Sequence, residues 1–315
     1  MDQTFVAIVK TIRPRQWLKN LTIYAGLIFS ARLYVLFDFW IVTQAFFLFS
    51  LATSAVYIFN DIVDAPKDRL HPFKKKRPIA SGKLPVRLAI LVGILFVLLS
   101  LTGSFLLSQR FFLAIIAYIL LQLSYMFYLK NIIILDILAI ASGFLLRIYA
   151  GVWVIGTHLN IWFLLCVASF ALFIAVGKRR AEATLLSGYS ESTSLGQVRS
   201  TLRSYPESLL HAYTTMFATA TWVTYSLFAF QLPRITPNSF FSQFFFSLTP
   251  RVEDTKWFMA TIPLVIFGVM RYLYLIYEKK EGESPERILL SDKPLLFAVI
   301  LWGVLVHTIL YVING

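Results

Sequence analysis

Long apolar runs separated by short, mostly basic breaks dominate the chain. A helix that crosses a bilayer needs about 20 mostly apolar residues. With that window nine runs qualify, at approximately 21–37, 39–59, 88–107, 111–129, 132–152, 160–177, 209–230, 257–277 and 294–312. The first is the weakest, because Arg32 interrupts it. Ahead of it, Phe5, Val6, Ile8, Val9 and Ile12 alternate with polar and basic residues, as in an amphipathic helix lying in the membrane interface. The pattern predicts an all-α polytopic membrane protein, a bundle of nine transmembrane helices forming a single integral membrane domain over residues 1–315. No signal peptide is expected, since Pro14 and a basic lead precede the apolar run and no clear small-residue cleavage site follows it.

Composition removes the soluble alternatives. Of 315 residues, 58% are hydrophobic and 14% charged, with a mean hydropathy of +0.72, against about 25% charged in soluble domains. The single Cys166 excludes an intramolecular disulfide framework. Charge adds an orientation. With nine spans, 22 of the 29 Lys and Arg residues fall on the side of the N-terminus and five on the other, while Arg147 and Arg271 lie within spans. The positive-inside rule then predicts a cytoplasmic N-terminus in the cell inner (plasma) membrane. The net charge of +13 points to anionic partners, lipid headgroups of the bilayer and phosphates, and no nucleic-acid partner is expected. The two longest loops, about 60–87 and 178–208, share the basic side and are expected to form the active-site face.

The candidate chemistry begins at Asn60-Asp61-Ile62-Val63-Asp64-Ala65-Pro66-Lys67-Asp68. At spacings of three and four, Asp61, Asp64 and Asp68 share one helix face, a donor set suited to Mg²⁺ bridging phosphate oxygens. Pro66 is expected to kink or end the helix, which would move Asp68 into the loop. The bland alternative is a capped, solvated helix end facing the adjacent basic run. That run, His71 to Gly82, supplies Lys74, Lys76 and Arg77, and cations beside bound metal are what a diphosphate requires. Its bland alternative is an anchor for acidic lipid. His71 reads as a turn residue before Pro72. Asp136 and Arg147 in the fifth run are costly at bilayer depth unless paired or facing a cavity, and lie too far apart along one helix to pair with each other. Arg271 is expected to be satisfied by snorkelling at a helix end. His158, His211 and His307 are isolated, and neither a phosphate-binding Gly loop, a nucleophile elbow nor a Cys/His metal cluster is present.

On these motifs the chain resembles the UbiA-type prenyltransferase superfamily: N-D-x-x-D-x-x-x-D after the second run, followed by H-P-x-K-x-x-R-P-I-A-x-G. The segments Arg13 to Asn20, Leu129-Lys130-Asn131 to Asp136, Gly143 to Arg147 and Gly177-Lys178-Arg179-Arg180 are similar to the branch that transfers 5-phosphoribose to decaprenyl phosphate. The resemblance implies a Mg²⁺-dependent phosphoribosyltransferase with phosphoribosyl diphosphate as donor and a polyprenyl phosphate as acceptor. Asp61, Asp64 and Asp68 would hold the metal, with Arg77 beside them. Asn60, Lys19, Lys74, Lys76, Lys130, Arg147, Lys178, Arg179 and Arg180 would bind substrate. Prenyltransferases typically carry a second aspartate-rich motif after the sixth span, where this chain has Lys178-Arg179-Arg180-Ala181-Glu182. Replacing carboxylates by guanidinium groups converts a metal-binding wall into a phosphate-binding one. The alternatives are an aromatic or quinone prenyltransferase using a prenyl diphosphate, and a transporter or lipid-binding protein without chemistry.

Overall fold

The computed structural model describes residues 3–70, 74–187, 205–232, 256–278 and 285–313, which form helices and turns without a strand among the described residues. Seven of the described helices are long and apolar enough to cross a membrane, so the chain is a multi-pass membrane protein. It divides into two compact units, Met1–His158 with Leu186–Ser204 and Leu159–Leu185 with Tyr205–Gly315.

The first unit opens with α1 (Gln3–Ile12), a 3-10 strip (Pro14–Tyr24) and the short α2 (Ala25–Phe29). The sequence-predicted span at 21–37 is therefore not one helix. Its chain turns at Ala31 (φ 56°), and Arg32 instead pairs with Asp38 at 2.7 Å and donates to the Ile155 carbonyl. A continuous helix would carry the Arg32 charge into lipid; the break gives it a carboxylate.

Next comes α3 (Leu36–Leu70), whose 35 residues extend about 52 Å, well beyond a hydrocarbon core of about 30 Å. Its last turns, carrying the acidic motif, project past the apolar stretch. The helix passes through Pro66 to Leu70, so Asp68 sits on the helix and not in a loop; Pro66 is exposed near the helix end, where the loss of one helical hydrogen bond to the ring costs least.

α4 (Val86–Leu107) lies against α3 through small residues. Ser100 donates to the Leu48 carbonyl at 2.9 Å, and a Cβ at Gly103 would meet Leu48 Cδ2 at 2.4 Å. Its other face exposes Leu91, Leu98 and Leu106, an apolar stripe suited to lipid. α5 (Gln109–Phe127), a 3-10 turn (Leu129–Asn131) and α6 (Leu135–Val154) complete this unit around a core of Ile23, Leu27, Phe49, Phe111, Ile115 and Tyr118.

The second unit contains α7 (Ile161–Ser187), α8 (Glu207–Gln231), a 3-10 turn (Trp257–Thr261), α9 (Ile262–Tyr277), α10 (Pro285–Ser291), α11 (Lys293–His307) and a π turn (Thr308–Ile313). The Thr-rich α8 corresponds to the run at 209–230 and is less apolar than the seven spanning helices. Gly177 lets α7 approach α9 closely, since a Cβ there would stand 2.7 Å from Ile276 Cδ1. Arg271 has a carboxylate partner: it makes a two-pronged pair with Asp292 at 3.1 and 2.8 Å, and the same carboxylate caps α11 by accepting from the Leu295 amide.

Candidate active site

The acidic motif occupies the end of α3, where helical periodicity stacks Asp61, Asp64 and Asp68 along one side. Asp61 and Asp68 are 3% and 4% exposed, a cost that only paired charge offsets. Cations from three separate segments meet them. Arg77, after the 3-10 turn Lys74–Lys76, sets one Nη1 atom 3.1 Å from Asp61 Oδ1 and 2.6 Å from Asp68 Oδ2. Arg13, at the junction between α1 and the 3-10 strip, donates to the same Asp61 oxygen. Lys130, on the turn after α5, lies 3.3 Å from Asp64 Oδ1, and Asn60 donates to Asp64 Oδ2 at 3.0 Å.

Arg13 takes a left-handed backbone conformation (φ 55°, ψ 62°), uncommon for a residue with a Cβ. Its guanidinium lies over the Tyr57 ring, 4.9 Å from the centroid. Below it the strip is fastened along α3: Tyr57 donates to Gln16 at 3.4 Å, Trp17 to Ser54 at 3.0 Å and Asn20 to Ser50 at 2.9 Å. Sequence reasoning gave Arg13 no role in the site. Its signals are its place at the head of the family-like segment Arg13 to Asn20 and the following proline, which disfavours continuation of the helix; where the side chain then points is a tertiary matter.

The remaining sequence-predicted residues are placed as follows. Lys19 is half-buried on the 3-10 strip, Lys74 is half-buried and Lys76 exposed on the turn before Arg77. Arg147 is buried and hydrogen-bonded to Asn20, the Gly143 carbonyl and Tyr118, with no carboxylate partner among the described residues. Asp136 is buried in the first turn of α6. In the second unit Lys178, Arg179 and Arg180 lie on α7, which continues to Ser187, and not in a loop. Arg179 is 1% exposed and donates to Glu182 at 2.6 Å. Arg180 stacks 3.2 Å over the Tyr277 ring, 3.8 Å from Glu207, and the Tyr277 hydroxyl meets His211 Nδ1 at 2.6 Å. His71, Glu191, Arg199 and Arg203 lie outside the described residues.

Among the described residues no group of three His, Cys, Asp or Glu side chains is gathered closely enough to hold a metal ion. The donor chemistry nonetheless fits a hard divalent cation. The Arg77 nitrogen bridging oxygens of Asp61 and Asp68 marks where positive charge belongs between them.

Known proteins resemble this chain along most of its length. The chain is 36% identical over 299 residues to a decaprenyl-phosphate phosphoribosyltransferase of Mycolicibacterium smegmatis, covering 94% of this chain and 89% of that one. It is 34% identical over 304 residues to the enzyme of the same name from Corynebacterium glutamicum, covering 94% and 84%. A solved UbiA homolog from Archaeoglobus fulgidus, bound to GPP and Mg²⁺, superposes with a TM-score of 0.68 over 96% of this chain and 99% of that one, at 20% identity. With the UbiA prenyltransferase family profile matching residues 20–290, a stretch that holds the acidic motif, Arg77, Lys130 and the α7 cations, the chain belongs to the UbiA prenyltransferase family.

Proposed function

We propose that this protein transfers 5-phosphoribose from phosphoribosyl diphosphate to a polyprenyl phosphate of decaprenyl type, releasing diphosphate. The observation that carries the reading is the convergence of Arg13, Arg77 and Lys130 on Asp61, Asp64 and Asp68, which joins metal-type ligands to phosphate-type ligands in one cluster. The likeness to the mycobacterial and corynebacterial enzymes along most of both chains supports the choice of substrates.

Asp61, Asp64 and Asp68, with Asn60, would hold Mg²⁺, which when bound neutralises part of the diphosphate charge and eases its departure. Arg77, Arg13 and Lys130 leave their carboxylates for phosphate oxygens, a fixed set of donors aimed at the charge that grows on the leaving group. Lys19, Lys74 and Lys76 are assigned to substrate phosphates. A lipid phosphate oxygen attacks ribose C1 as the bond from C1 to the diphosphate oxygen breaks, with inversion at C1. The acceptor is already ionised near neutral pH, so no strong general base is needed. The charge asymmetry of the loops supports a cytoplasmic N-terminus in the cell inner membrane, with the donor reaching the site from the cytoplasm.

The test incubates purified protein with Mg²⁺, labelled phosphoribosyl diphosphate and polyprenyl phosphate, beside an arm with a prenyl diphosphate and an aromatic acid. Label in the lipid phase of the first arm is expected. Product in the second arm alone would replace this reading with an aromatic prenyltransferase, and product in neither would remove both.

A further inference from the structure

Arg147 has the surroundings of an internal clamp. It is 5% exposed and Asn20 is fully buried. Its Nε donates to Asn20 Oδ1 at 2.8 Å, Nη1 to the Gly143 carbonyl at 2.7 Å and Nη2 to the Tyr118 hydroxyl at 3.1 Å. The rings of Phe49, Tyr118 and Phe144 have centroids 5.7, 5.0 and 5.4 Å from the guanidinium carbon. Every one of these partners is neutral. Burying a charge in this way is costly, and what the contacts hold together must offset it.

They hold the 3-10 strip. Asn20 accepts from Arg147 on α6 and donates to Ser50 on α3, so one buried amide locks three elements. α6 lies directly against the strip here: a Cβ at Gly151, one turn beyond Arg147, would stand 1.9 Å from the Ile23 carbonyl oxygen. From Asn20 the strip runs back along α3 through Trp17 to Ser54, Gln16 to Tyr57 and Arg13 to Asp61. Between Asn20 and Arg13 the strip advances about 14 Å at about 2.0 Å per residue, and α3 about 16 Å between Ser50 and Asp61. The two lengths match, so the seat of Asn20 fixes where Arg13 arrives.

We infer that Arg147 is a positioning residue: acting through Asn20, it sets the register of the Pro14–Tyr24 strip on α3 and so holds Arg13 at Asp61. What Arg13 does there rests on the transferase reading; how it is held does not.

The test uses the purified full chain in lipid nanodiscs, with hydrogen exchange read over residues 15–24 and transfer kinetics run in parallel. Asn20→Ala and Arg147→Lys are each expected to speed exchange of the strip about tenfold while the α4 amides stay unchanged. Both should raise the apparent KM for phosphoribosyl diphosphate about tenfold, with kcat held within about twofold. Asn20→Asp keeps the acceptor for Arg147, and the Ser50 hydroxyl can turn to donate to the new carboxylate, so this variant should restore both quantities. The inference is overturned if Asn20→Ala leaves exchange and KM unaltered while Arg147→Lys abolishes transfer, which would make Arg147 a substrate contact. Wild-type protein that transfers no phosphoribose, with the two variants still exchanging the strip faster than wild type, would defeat the transferase reading and leave the clamp standing.

Discussion

Arg13 is hydrogen-bonded to Asp61 although 48 positions separate them. The contact closes the lengthwise fastening of the 3-10 strip to α3 and delivers a cation from the N-terminal segment to the most buried carboxylate of the acidic motif. Asp61 is thus held between Arg13 and Arg77. The site is a balanced set of charges, and in the proposed mechanism substrate phosphates take over the partners of its cations.

Removing the central carboxylate should disable that exchange. Asp61→Asn is expected to lower kcat/KM for phosphoribosyl transfer by about a hundredfold or more, the scale of lost leaving-group stabilisation. Elution as a homogeneous peak in detergent would show that the variant remains folded. Full activity in it would remove Asp61 from the metal site.

Arg13 and Asp61 should be coupled. Arg13→Gln alone leaves Asp61 with Arg77 and is expected to raise the apparent KM for the donor. In a double-mutant cycle with Asp61→Asn, the two losses should fall short of additivity by about 1–3 kcal/mol. Strict additivity would mean that the pair does not act as a unit.

Chelation should stop the reaction reversibly. Treatment with EDTA is expected to abolish transfer, and added Mg²⁺ to restore it, because the donor set of Asp61, Asp64 and Asp68 is hard oxygen. Transfer that persists in excess chelator would detach the acidic motif from any metal role.

Gly151→Ala tests the packing of α6 on the strip. A Cβ would meet the Ile23 carbonyl at 1.9 Å, and since backbone cannot swing aside, a destabilisation of about 1–3 kcal/mol is expected. A lowered Tm would register it, and a Tm equal to wild type would contradict the close approach.

Asp292→Ala should destabilise the second unit, because one carboxylate both pairs with Arg271 and caps α11. The cap contributes about 1 kcal/mol, and leaving a partly buried arginine without its partner adds to it. Thermal unfolding is expected at a lower temperature, with the KM for phosphoribosyl diphosphate unchanged. A shift in KM at unchanged Tm would assign Asp292 to substrate binding instead.

The parts of this protein that obey local rules were legible in the chain. Apolar runs of spanning length can only be helices in lipid, because no water is there to satisfy the backbone. The helical period places Asp61, Asp64 and Asp68 on one side of α3 whatever surrounds them, and Arg77 follows closely enough in the chain to be suspected of joining them. The motifs were also sufficient to suggest the family. Local rules failed where neighbours decide. Pro66 reads as a kink or end of the helix, with Asp68 moved into the loop, yet the helix continues past it and carries Asp68. Residues 21–37 read as a span, yet the chain turns there and Arg32 reaches Asp38, and the partner of Arg271, Asp292, lies 21 positions away. The delivery of Arg13 and Lys130 to the acidic motif, across 48 and 66 positions, and the burial of Arg147 against Asn20 across 127, belong to the tertiary structure alone. Sequence spacing governs which side chains share a helix face, whereas contact between helices depends on how whole elements pack.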